Sequence, residues 1–74
     1  MKKKWRINHP YKVIGYNNYA YEKIIRRLLE FGFVKGTKFI VSHKSLLGRS
    51  VIIELRGYSL SMRTKFLSNV VVQE

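Results

Sequence analysis

Few side chains in this 74-residue sequence are able to do chemistry. The imidazoles are His9 and His43, the carboxylates are Glu22, Glu30, Glu54 and Glu74, and there is no cysteine. No pair among these donors has the spacing of metal ligands. The missing cysteine excludes disulfides, Fe–S ligation and thiolate zinc sites. A site for a divalent transition metal wants something like two histidines and a carboxylate converging, and a large excess of positive charge opposes holding a dication. His43 is therefore read as a packed or edge histidine on a strand, and His9, before Pro10, as a loop residue. No serine lies in a Gly-x-Ser-x-Gly elbow or beside a histidine–acid pair. Gly32 and Gly36 flank the end of a helix rather than its start, and no phosphate-binding Gly-x-x-x-x-Gly-Lys-Ser/Thr run exists. The residues predict no catalysis, no cofactor and no metal.

Surface chemistry is what remains. Fifteen Lys and Arg against four carboxylates give a formal charge of +11. Such a charge calls for an acidic partner surface, anionic lipid or nucleic acid. Two groups of residues are candidate partner contacts. In the first, Leu46 and Leu47 are adjacent in a turn and flanked by Lys44 and Arg49, an apolar anchor with a charged rim. An alternative stays open there: one of the leucines plugs the end of the core. The second is Lys23, Arg26 and Arg27, on the polar face of a helix. Nucleic-acid binding is the competing use, with Trp5, Tyr16, Tyr19 and Tyr21 available to stack on bases. Against it, the cations are spread from Lys2 to Lys65 instead of gathering in one motif. A third use is weak contact of Lys2, Lys3 and Lys4, with Trp5 and Arg6, at an anionic leaflet.

The elements that position these groups follow from periodicity. Tyr11 to Ile14 reads as a first strand closed by Gly15. Asn17 and Asn18 offer N-caps for a helix from about Tyr19 to Phe31, whose apolar stripe is Ile24, Ile25, Leu28 and Leu29. Gly32 supplies its left-handed terminator, with Phe33 and Val34 folding back onto the apolar face. After the Gly36-Thr37 turn, residues 39–44 and 51–56 alternate as two strands around the Ser45 to Gly48 loop. Gly57 turns the chain into Tyr58, Leu60 and Met62, read as barrel-filling residues of a further strand ending at Arg63. Thr64 caps a helical turn, and Val70 to Val72 form the last strand.

The fold expected is mainly β: a small five-stranded SH3-like barrel, with one α-helix inserted after the first strand and a short helical turn before the last. Closure is the economical answer for five short strands that cannot cover a flat sheet. Residues 1–74 read as one domain, with 1–9 as a basic N-terminal arm. The start has a positive cluster without an apolar run behind it, so neither secretion nor a membrane span is expected.

Three motifs in order carry a family resemblance. The passage LLEFGFVKGTKFIV is similar to a helix ending in Leu-x-x-Gly, an apolar pair, and a Pro-Gly-Thr turn opening a strand. SLLGRSVIIELRGYSLSMR resembles an Ala-Pro-Leu-Gly-Asp-Pro loop, a β run and a Gly-Tyr-x-Leu-x-Leu-Arg signature, matched at Gly57, Tyr58, Leu60 and Arg63. These are patterns of the FeoA family of ferrous iron transport accessories, and they cover roughly Ile24 to Val72. Lys35 replaces the usual proline, and Leu46, Arg49 and Ser50 replace Pro, Asp and Pro around Leu47 and Gly48.

The resemblance implies an accessory of bacterial ferrous iron uptake that is not an enzyme. It implies a cytoplasmic location, at the inner face of the membrane through its partner. That partner is FeoB, the membrane-embedded iron transporter with a cytosolic GTPase domain. Self-association through an exposed barrel edge or the apolar loop is a further expectation.

Overall fold

The computed structural model describes residues 4–74 and places five strands and two helices in one continuous run. They are β1 (Tyr11–Tyr16), α1 (Glu22–Phe31), β2 (Lys38–Lys44), β3 (Ser50–Leu55), β4 (Tyr58–Arg63), α2 (Thr64–Leu67) and β5 (Val70–Gln73). Met1, Lys2 and Lys3 lie outside the described residues, so the proposed lysine contact with a membrane falls largely beyond them. All paired strands are antiparallel, in the order β4-β3-β2-β1-β5. This is the five-stranded arrangement expected, with one helix after the first strand and a short one before the last.

Curvature comes from two irregularities. The β1–β5 register shifts between Val13 and Gly15, and the β2–β3 register shifts between Val41 and His43. An extra residue on one side of a ladder bends the strand and increases its twist, which a short sheet needs if it is to wrap around its own core. The first shift also explains why β1 does not close at Gly15. The strand continues through it to Tyr16, which pairs with Val70.

β3 and β4 are joined by a two-residue turn with positive φ at Arg56 (49°) and Gly57 (83°), the hairpin geometry whose twist matches the flanking strands. Arginine is an unusual choice for a left-handed position. Its guanidinium is held by a 3.2 Å bond to Thr37 Oγ1, which ties the turn to the residue preceding β2.

The N-terminal segment is not a free arm beyond Lys4. Trp5 is 2% exposed and meets Tyr11 edge-on at 4.9 Å between ring centroids. The Arg6 amide donates to the Tyr11 hydroxyl at 2.8 Å. Ile7 then forms a parallel bridge with Val41, and the Asn8 amide donates to the Val41 carbonyl at 2.8 Å. The segment thus takes up the edge of β2 that β1 leaves, and Trp5 is a core residue unavailable to bases or lipid.

α1 starts at Glu22, later than the asparagines predict. Asn17 is held at the sheet end, its amide donating to the Asn69 carbonyl at 2.7 Å. Its Oδ1 accepts from the Tyr19 amide, closing a local turn in place of a helix cap. Tyr21 occupies the cap position with no side-chain cap bond. Of the stripe, Leu28 is fully buried, Ile24 and Ile25 are half-buried, and Leu29 is exposed.

The helix end is as expected. Gly32 has φ 106°, the Phe33 amide donates to the Leu28 carbonyl at 3.0 Å, and the Phe33 ring is buried. Tyr16 braces the same corner, its hydroxyl donating to the Phe33 carbonyl at 2.6 Å. Burial pushes this phenol above its ordinary pKa, so the donor form is kept.

Tyr58 does not fill the barrel. It is 44% exposed, and its hydroxyl reaches across to donate to the Phe31 carbonyl at the end of α1. Thr64 likewise caps nothing, because its Oγ1 donates to the Gly48 carbonyl at 2.7 Å.

Gly32 therefore meets two demands, a positive φ and the space taken by Tyr58, since a Cβ there would stand 2.7 Å from the Tyr58 hydroxyl. Gly32→Ala is expected to destabilise by about 1–3 kcal/mol. Adding Tyr58→Phe should return part of that loss, a non-additivity that urea denaturation of the two single variants and the double variant will measure. Tyr16→Phe should cost about 1 kcal/mol at neutral pH. Because the folded pKa is raised, the stability Tyr16 contributes is whole below the unfolded value of about 10 and is lost as pH rises through the folded value. The gap between wild type and Tyr16→Phe should accordingly narrow in melts above that pH.

Candidate functional site

The β2–β3 loop is built to hold its shape. The Ser45 amide donates to the Ser50 carbonyl at 2.9 Å and the Gly48 amide to the Ser45 carbonyl at 2.9 Å. Ser45 Oγ accepts the amides of Arg49 and Ser50, each at 3.1 Å. From the end of the adjacent strand β4, the Thr64 amide donates to the Arg49 carbonyl at 2.9 Å, beside the Thr64 bond to Gly48. Backbone groups that would otherwise need water are spent on one another, so the loop is presented in one conformation.

The two leucines at its tip are not part of the core. Leu46 is 100% exposed and Leu47 73%, which overturns the reading that one of them plugs the barrel end. Exposed large apolar residues that add nothing to packing are a candidate contact surface. Lys44 and Arg49 flank them and are exposed. Strand register sets Arg63 opposite Ser50 at the same end of the sheet, a cation the sequence reading had not grouped with the loop.

Lys23, Arg26 and Arg27 form a second surface, all exposed on α1. Arg26 reaches Glu22 at 3.5 Å, as the i,i+4 spacing predicts, and Arg27 lies 5.9 Å over the Phe31 ring. The approach to this helix carries Tyr19, 91% exposed, and Tyr21, 78% exposed. These had been grouped with Trp5 and Tyr16 as base-stacking aromatics, but Trp5 is buried and the Tyr16 hydroxyl is engaged. What remains is two exposed tyrosines ahead of α1 and two exposed arginines on it, residue types enriched in protein-interface hot spots. Nothing in the sequence signals this exposure, since Tyr21 lies at i−3 and i−4 from Ile24 and Ile25, in line with the helix's apolar stripe.

The histidines sit apart. His43 is exposed on β2 with Nδ1 3.1 Å from Ser42 Oγ. His9 lies 3.9 Å from Glu74, and the Arg6 guanidinium stands 3.0 and 3.1 Å from the His9 ring nitrogens and 3.6 Å from Glu74.

A model of the FeoA domain matches residues 6–74. The chain belongs to the FeoA family. FeoA domains are non-catalytic adaptor modules with an accessory role in bacterial iron uptake. Among solved structures, an FeoA-like protein from Clostridium acetobutylicum is 33% identical with a TM-score of 0.79, the match covering 90% of this chain and 76% of that one. FeoA from Chlorobium tepidum is 25% identical with a TM-score of 0.79, covering 93% of this chain and 64% of that one. FeoA from Stenotrophomonas maltophilia, described as a prokaryotic SH3 domain protein complexed with zinc, is 26% identical with a TM-score of 0.73, covering 95% and 85%. The FeoA domain here thus has the SH3-like fold. No curated protein is similar enough in sequence to count as a match.

The zinc of the Stenotrophomonas protein prompts a test of the donors here. Among the described residues no three His, Asp or Glu side chains gather, and the one approach, His9 to Glu74, is shared by a guanidinium that repels a cation. These residues do not fit a zinc site.

The loop's preorganisation can be measured. Ser45→Ala removes the acceptor for two amides and is expected to cost about 1–2 kcal/mol. Hydrogen exchange at Arg49 and Ser50 should accelerate at least tenfold, while the β3–β4 amides keep their protection.

Proposed function

We propose that this FeoA domain serves ferrous iron uptake by docking on the cytosolic GTPase-bearing part of an FeoB-type transporter, from the cytoplasmic side of the membrane. The observation that carries the reading is exposure in and just before α1, where Tyr19 is 91% and Tyr21 78% exposed and the helix carries exposed Lys23, Arg26 and Arg27. Tyrosines supply large, rigid contact area at low entropic cost, and arginines pair with carboxylates in two-pronged fashion. Nothing in the core needs these tyrosines, and the sheet positions α1 without them. The net charge of +11 favours an acidic face on the transporter and speeds encounter with it. Family membership supplies the iron-uptake setting, and no helix is long and apolar enough to cross a membrane among the described residues. The docking is that of a transient adaptor, of modest area and micromolar strength.

Titration of the purified FeoB cytosolic domain with this protein, followed by calorimetry, tests the assignment. Tyr19→Ala with Tyr21→Ala should weaken binding at least tenfold, and Arg26→Glu with Arg27→Glu should do so more strongly at low salt than at high salt. All four positions are exposed, so melting temperatures should stay close to wild type. Wild-type affinity in both double variants removes this face from the interface.

A further inference from the structure

We propose that the β2–β3 loop is a membrane-contacting tip that inserts Leu46 and Leu47 into the interface of an anionic bilayer. The loop's form fits a bilayer better than a protein partner. Both side chains stand out from the tip, 100% and 73% exposed, instead of lying in a broad flat patch. Two leucines on a wedge cannot furnish the roughly 800 Å² that each side of a stable protein interface buries. A bilayer asks for no shape complementarity, only apolar atoms that pass the headgroups and cations that stay among them.

The collar supplies those cations. Lys44 and Arg49 flank the tip, Arg63 is opposite Ser50 by register, and Lys65 follows in α2, whose first residue is bonded to the loop. No carboxylate lies between Glu30 and Glu54 or between Glu54 and Glu74, so neither the β2–β3 loop nor the β4–α2 junction carries an acid. Glu54 itself pairs with Ile40 and Ser59, away from the loop along both strands.

At the loop's base an open cavity of about 250 Å³ is lined by His43, Lys44, Ser45, Ser50 and Ser61 among others. A lining that carries an ammonium and hydroxyls beside an apolar tip suits the phosphate of a lipid headgroup whose chains meet the leucines. The loop's rigidity matters here, because insertion then pays no ordering cost. This surface is distinct from the tyrosine face of α1, so one molecule can rest on lipid while that face meets a membrane protein.

Flotation with vesicles gives the test. Wild-type protein is expected to float with phosphatidylcholine vesicles containing 30 mol% phosphatidylglycerol and at least tenfold less with phosphatidylcholine alone. Leu46→Ser with Leu47→Ser, which preserves every charge, should lower binding at least tenfold. Lys44→Glu with Arg49→Glu should do the same, with circular dichroism melts unchanged in both.

The sequence has no cysteine, so Leu46→Cys accepts a single environment-sensitive fluorophore, whose emission should shift to the blue on the anionic vesicles. Three results overturn the proposal: equal binding of the serine variant, no spectral shift with bound vesicles, or full displacement by millimolar glycerol phosphate, which would make the cavity a soluble-anion site. A fourth is loss of affinity for the FeoB cytosolic domain in the serine variant with flotation intact, which would assign the tip to a protein.

Discussion

The aromatic cluster around Trp5 is the interaction on which the rest of this molecule depends. A chain of 74 residues has a small interior, so each large buried side chain carries much of it. Here four rings concentrate the buried area. Trp5 meets Tyr11 at 4.9 Å and Phe39 at 5.8 Å, and Phe39 meets Tyr11 at 5.7 Å and Phe33 at 5.2 Å. Each ring comes from a different segment: the N-terminal stretch, β1, β2 and the turn leaving α1. The cluster is therefore also the joint that fixes those segments together. Truncating a buried Trp or Phe costs about 3–5 kcal/mol, of the order of the whole stability of a domain this size.

A core so economical frees the surface. Once Val13, Val41, Val51, Ile53, Leu55, Leu67 and Val70 complete the interior, Leu46, Leu47, Tyr19 and Tyr21 have no structural task. Their exposure is a cost in solubility that the charge of +11 offsets. The two exposed groups lie on separate elements, the β2–β3 loop and the lead into α1, and each is flanked by cations. Both are held by polar ties: Ser45 and Thr64 fix the loop, while Asn17 fixes the approach to the helix. Placement of these surfaces is thus a consequence of how the sheet ends are closed.

What the sequence made legible was local. Gly32 ends α1 because its φ and the amide bonds around it concern neighbouring residues only. The β3–β4 turn and strand alternation are of the same kind, and so were found to within a residue or two. The misses were all non-local. Asn17 looked like a cap until its amide was claimed by Asn69, 52 positions away by number. Tyr58 alternated correctly for a core residue, yet its hydroxyl is drawn to Phe31. Trp5, amid lysines and arginines, read as an arm because nothing in its neighbours reveals the gap that β1 leaves along β2. At the candidate sites, residue types were readable but exposure was not, and exposure is what rules out a plug at Leu46.

Fold and binding are coupled through charge. Folding gathers the cations from Lys4 to Lys65, with four acids, onto a body of about 29 × 26 × 20 Å. The unfolded chain holds the same charges farther apart, so repulsion opposes the native state, while the small core has little stability to spare. A ligand that binds the native surface and not the unfolded chain stabilises it by mass action. An acidic protein face or an anionic leaflet does this twice over, since it also screens the repulsion among Lys44, Arg49, Arg63 and the cations of α1. The excess charge thus makes the compact state of this domain most stable beside an acidic surface.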